Sequence, residues 1–184
     1  MDMLMKLWLA ILAAGAGAWV WGFLSYAVLG VHGGDSKKLP AEESLLAEIK
    51  RAGIPPGEYQ FPWVEKAQQK DPEVQRKWKE GPVGQINLWG PFSIPRNMLA
   101  TFVVNLAVAF LTAYIGAETL PAGSGFSKVF QVLGTVGVLA YGASSLPNMI
   151  WFQARAPRWR SHLIDTLILG LGTAAIFAAM WPQA

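Results

Sequence analysis

Apolar residues along this chain are clumped into four long runs rather than spaced at helical or strand intervals. The first run, about residues 7–31, holds no charge and continues past the small stretch Ala14-Gly15-Ala16-Gly17-Ala18 into Trp19-Val20-Trp21-Gly22-Phe23-Leu24. A helix rises about 1.5 Å per residue, so this run exceeds the ~30 Å hydrocarbon core of a bilayer. It is also too long for the apolar centre of a cleavable signal peptide, which makes it a retained span. The second run covers about residues 98–117 and the third about 126–150, with Pro147 near its end to distort or terminate the helix. The fourth covers about 163–181 and carries Asp165 in its first turn. Lipid cannot satisfy open backbone groups, so spans of this length are expected to be helices. The expected fold is an all-α membrane protein, four transmembrane helices in an antiparallel bundle, taken as a single membrane domain over residues 1–184.

Between the first two runs lies a polar insertion, residues 32–96, with ten of the fifteen Lys and Arg and nine of the twelve Asp and Glu. Pro40, Glu42 and Glu43 resemble a helix first turn, and Lys50, Arg51 and Gly53 a last one. Leu45, Leu46 and Ile49 form one apolar stripe between them, predicting a short amphipathic helix. Asp71 as cap and Pro72 at the first position predict a second helix to about Glu80, before Gly81-Pro82. The stretch 83–94, with Trp89, Gly90, Pro91 and Phe92, reads as broken and apolar. It is expected to lie along the membrane surface.

With four spans, the insertion and the third connector share one side and both termini share the other. The connector carries Arg155, Arg158 and Arg160, against Lys6 and Lys128 opposite. Lys and Arg are retained in the cytoplasm, so the insertion is expected there and the termini in the periplasm. Trp8 and Trp181 then fall at one interface, and Trp89, Trp151 and Trp159 near the other. The net charge of +3 does not point to nucleic acid, because the basic residues flank membrane spans and suit anionic lipid head groups or a partner. The absence of cysteine removes thiol catalysis, thiolate metal sites and c-type haem attachment.

The chemistry-bearing residues are few. His32 closes the first span and His162 opens the fourth, so two imidazoles in one leaflet stand as candidate ligands for a haem, a chlorophyll or a quinone oxygen. Ordinary interfacial polar residues are nonetheless the expected reading of both. Asp165 is either part of a proton relay or tied by a local salt bridge to Arg158, Arg160 or His162. Asn105, well inside the second span, is expected to hydrogen-bond a neighbouring helix. Trp19 and Trp21 sit mid-span, as core filling or facing a partner. Small residues recur every four positions: Ala10, Ala14, Ala18 and Gly22 in the first span, and Thr166, Gly170, Ala174 and Ala178 in the fourth. Such ladders let helix backbones approach closely, the first on the fourth or either on another subunit. No Walker loop, GxGxxG, HExxH or triad-like set occurs, and no metal site is expected.

The stretch Trp21-Gly22-Phe23-Leu24-Ser25-Tyr26-Ala27-Val28-Leu29-Gly30-Val31-His32 resembles the first-helix signature of a family of small, uncharacterised bacterial integral membrane proteins. Leu146-Pro147-Asn148, Trp151 and Asp165 resemble its second signature, and the basic run Arg155 to Arg160 departs from the family pattern. The resemblance implies a four-helix protein of the bacterial cytoplasmic membrane, singles out His32, Asn148 and Asp165, and implies no activity. The functional expectation is a non-catalytic accessory subunit of a larger membrane complex, by analogy a respiratory or photosynthetic one. Its partners would be other integral subunits, anionic lipids and a peripheral subunit on the insertion. A small-molecule binding or transport protein is the first alternative, and a haem- or chlorophyll-binding electron carrier through His32 and His162 is the other.

Overall fold

The structure, a computed structural model, describes residues 2–183 and is mostly helical. Four helices are long and apolar enough to cross a membrane: Trp8–Val28, Ile94–Thr119, Phe126–Trp151 and Ala156–Ala179. They mark a multi-pass membrane protein. A short helix α1 (Asp2–Lys6) precedes α2 (Trp8–Phe23), which continues into a π-helical turn over Leu24–Val28. The second span is α5 (Ile94–Thr119), starting four residues earlier than its apolar run because Pro95 suits a helix first turn.

The third span is interrupted. Helix α6 (Phe126–Gly142) passes through a 3₁₀ turn (Ala143–Ser145) into α7 (Leu146–Trp151). Pro147 has no N–H for the Ala143 carbonyl four residues back, and the Leu146 amide bonds that carbonyl instead. The tighter turn thus follows from one missing donor, and the proline distorts the span without ending it. The fourth span, α8 (Ala156–Ala179), starts well before its apolar run, with Arg155 as cap and Pro157 in its first turn.

Helix α8 packs most extensively on α6 and also on α2, which in turn packs on α5. Glycine permits the closest of these approaches. A Cβ on Gly137 would lie 2.7 Å from the Gly170 carbonyl oxygen, and one on Gly170 would lie 2.6 Å from the Val138 nitrogen. The small-residue ladder of the fourth span therefore meets the third span, with Thr166 against Gly142 and Ala174 against Gly134. Ala10, Ala14 and Ala18 of the first ladder are buried within the chain. Both ladders are used internally. Ala10, Ala14, Ala174 and Ala178 join Leu7, Leu133, Phe177 and Trp181 in the core. Trp181, expected at an interface, is buried, and its indole N–H donates to the Pro121 carbonyl (3.1 Å). Outward-facing Val103, Val104, Leu111, Leu139 and Leu163 are exposed, as a lipid-facing surface requires.

Residues Lys38–Ser93 form a compact unit of their own, while His32 to Lys37 belong with the helices. The amphipathic helices form as expected: α3 (Glu42–Arg51) and α4 (Pro72–Glu80), whose cap Asp71 accepts from the Glu73 amide. The all-α expectation fails in this unit. Strand β1 (Gly57–Phe61) pairs antiparallel with β2 (Gly84–Leu88), placing Tyr59 opposite Ile86 and Gly57 opposite Leu88. The stretch expected to lie flat on a membrane thus contains a strand. Half-buried Gly84, Ile86 and Leu88 alternate with exposed Gln85 and Asn87, the period of a half-buried strand.

Candidate functional site

His32, Asp35 and Asp165 gather where the chain leaves the first span and where α8 begins. The π-helical turn ends at Gly30, whose φ of +62° needs no Cβ and turns the chain back on itself. The Leu29 and Val31 amides close this end on the Leu24 and Ser25 carbonyls. A turn follows in which the Asp35 amide bonds the His32 carbonyl (3.0 Å). The turn lies against the first turn of α8. A Cβ on Gly34 would come within 3.0 Å of Pro157.

This backbone brings His32 between two carboxylates. Its Nδ1 lies 2.8 Å from Asp35 Oδ2, and its Nε2 lies 2.8 Å from Asp165 Oδ2. The second contact is an ion-pair distance without hydrogen-bond alignment. The imidazole is only 11% exposed, and Tyr26 stacks on its face at 3.6 Å between ring centres, 8° from parallel. Asp165 also accepts from the Trp21 indole N–H (2.9 Å). Ser161, fully buried, donates to Asp35 at 2.8 Å and contacts both of its oxygens.

Burial disfavours charge on Asp35, but the hydrogen bonds from His32 and Ser161 outweigh it, helped by the charges of His32 and Arg158. Its carboxyl is therefore held below the ordinary aspartate range. Two carboxylate oxygens on opposite ring nitrogens satisfy an imidazole only when both nitrogens bear protons. Otherwise a carboxyl proton must fill one contact. The Ser161 hydroxyl donates to the Asp35 carboxylate rather than to an imidazole. Both nitrogens of His32 face carboxylates, which leaves neither open to an iron or magnesium.

His162 has a different setting. Its Nε2 lies 3.1 Å from the Gly142 carbonyl oxygen and 3.2 Å from the Ser145 hydroxyl, on the face of α8 turned toward the third span. The two histidines therefore do not form a facing pair. Asp165 bonds across the chain to His32 and Trp21, and it forms no salt bridge with Arg158, Arg160 or His162 among the described residues. Arg155, Arg158 and Arg160 are exposed and make no salt bridge among the described residues. Asn105 is half-buried and makes no side-chain hydrogen bond to a neighbouring helix among the described residues. Both mid-span tryptophans are hydrogen-bond donors, Trp19 to the Met98 carbonyl (3.0 Å) and Trp21 to Asp165.

Sequence reasoning singled out His32 and Asp165 and missed Asp35, Ser161, Trp21 as a donor and Tyr26 as a stacking ring. Two signals were present. Ser161 and Asp165 are four residues apart and so share a helix face, and Asp35 follows His32 after a Gly-Gly step that turns the chain back. Comparison with known proteins finds no matching family model, no similar curated protein and no similar solved structure.

Proposed function

We propose that this protein is a non-catalytic accessory subunit of a larger complex in the bacterial cytoplasmic membrane. Its four helices form an antiparallel bundle, the Lys38–Ser93 unit faces the cytoplasm, and both termini face the periplasm. The observation that carries this reading is the uncovered apolar surface of the extramembrane unit. Trp63 and Trp89 are 76% and 77% exposed, Phe92 and Val83 are also exposed, and neither α3 nor α4 buries a residue. Exposed aromatic rings concentrated on so small a unit are characteristic of interaction surfaces.

The polar cluster supports the same reading from the other direction. Asp35 is hydrogen-bonded by His32 and Ser161, and Asp165 is hydrogen-bonded by Trp21 and lies at ion-pair distance from His32, so they act as a tie between the first and fourth spans rather than as groups presented to a substrate. The analogy to respiratory or photosynthetic assemblies supplies the class of complex. The test is extraction in mild detergent followed by native electrophoresis. Co-migration with other membrane polypeptides is expected, with Trp63→Ser plus Trp89→Ser releasing the 20.0 kDa chain from them. Migration at 20.0 kDa or a simple multiple of it, unchanged by the double substitution, would sink the proposal.

A further inference from the structure

Helix α8 presents two adjacent stripes at its polar end. Ser161 and Asp165 face the first span, whereas His162 and Thr166 face the third, where the 3₁₀ turn narrows the chain to Gly142 and Ala143. A cleft of about 500 Å³ opens on that second side. This is within the range of roughly 300–1,000 Å³ typical of small-molecule sites. Its walls are Val138, Leu139, Ala143, Leu146 and Leu163, with Trp159 along one edge. The Trp159 indole donates to the Ala154 carbonyl (3.1 Å), which holds the ring in place. The polar groups lining the cleft are Arg160, His162 and Thr166. Thr166 is 7% exposed and its Oγ1 has no hydrogen-bond partner. Arg160 forms no salt bridge among the described residues, because the nearest carboxylate on its own helix, Asp165, is engaged with His32 and Trp21 on the other stripe.

An apolar trough bordered by Arg160, an exposed cation with no carboxylate partner among the described residues, matches one class of ligand, an acyl chain bearing an anionic head. We propose that the α6–α8 cleft binds one anionic phospholipid of the surrounding bilayer, its acyl chain along Leu139 and Leu163 and its phosphodiester on Arg160. Guanidinium pairs with phosphate through two parallel N–H donors, which distinguishes this site from the nonspecific pull of basic residues on a membrane surface. The cleft exists because Pro147 forces the 3₁₀ turn and Gly142 leaves room for Thr166. Neither feature depends on a partner subunit, so this inference stands or falls separately from the accessory role.

The test is native mass spectrometry of the full chain in mild detergent, titrated with phosphatidylglycerol and, separately, with phosphatidylcholine. One phosphatidylglycerol is expected to remain on the intact chain. Arg160→Gln should weaken its retention about tenfold, Ala143→Phe should abolish it by filling the trough, and Arg155→Gln should change nothing. Circular dichroism of each variant confirms that the helices remain. Ala143 is exposed, so the larger ring can be accommodated without repacking the core. Equal retention of the two lipids, retention unaffected by Ala143→Phe, or displacement by inorganic phosphate alone would each overturn the proposal.

Discussion

The helical unit and the Lys38–Ser93 unit solve opposite problems. In the helical unit apolar residues are the background, so its polar side chains carry the information: Trp19, Trp21, His32, Asp35, Ser161 and Asp165 each find a partner. In the Lys38–Ser93 unit polarity is the background, and the informative residues are the rings left uncovered, Trp63 and Trp89. Its charged pairs, such as Glu48 with Arg51 and Glu80 with Arg76, are local along one helix and largely exposed. The contrast teaches that a hydrogen bond has structural value in proportion to what its groups would lose by parting. Water replaces the partner of Arg51, whereas lipid has nothing to offer Asp165.

The contrast breaks most sharply at the glycines. Gly170→Leu would drive a side chain into the Val138 backbone and is expected to abolish the α6–α8 pairing, at a cost above about 4 kcal/mol. A Cβ added at Gly172 meets no atom within 4 Å, so Gly172→Leu should leave the thermal midpoint of the detergent-solubilised chain unchanged or slightly raised. Similar losses for both would mean that the third and fourth spans are not in backbone contact.

Next comes Asp165→Ala, which leaves Trp21 without its acceptor and His32 without the facing carboxylate, and should cost about 2 kcal/mol in a denaturation series. Asp165→Asn keeps an oxygen for Trp21 and should recover part of that loss. The pH dependence sharpens the same point. Asp35 titrates below its ordinary value of about 3.9. Its contribution to stability is therefore present above that pH and is lost as pH falls through the lower, folded-state value. Asp35→Asn should flatten this acid limb. A limb unchanged by the substitution would assign it to other carboxylates. The smallest effect is expected from Glu48→Ala, under about 0.5 kcal/mol, because its partner Arg51 is 77% exposed.

The spans were legible because continuous apolarity is a one-dimensional property that any window along the chain detects. The partner of Asp165 was not, because proximity in sequence favoured Arg158, Arg160 and His162. The actual partners, the donor Trp21 and the ion-paired His32, are brought close only by the folding of the first span onto the last. Helical periodicity still held the clue in Ser161, which shares the Asp165 face while the more conspicuous His162 points at Gly142. The hairpin was missed for a different reason. Two five-residue strands each bury little, and their alternation is masked by glycine at Gly57 and Gly84, where no side chain reports a face.

The Trp21–Asp165 bond joins residues 144 positions apart. At ~5–20 residues per second a ribosome needs on the order of ten seconds to cover that distance. Through that interval the Trp21 indole N–H and the Nε2 of His32 lack the carboxylate that faces them in the folded chain. Helix α8 supplies that carboxylate, so the polar end of the first span is completed only once α8 has been made.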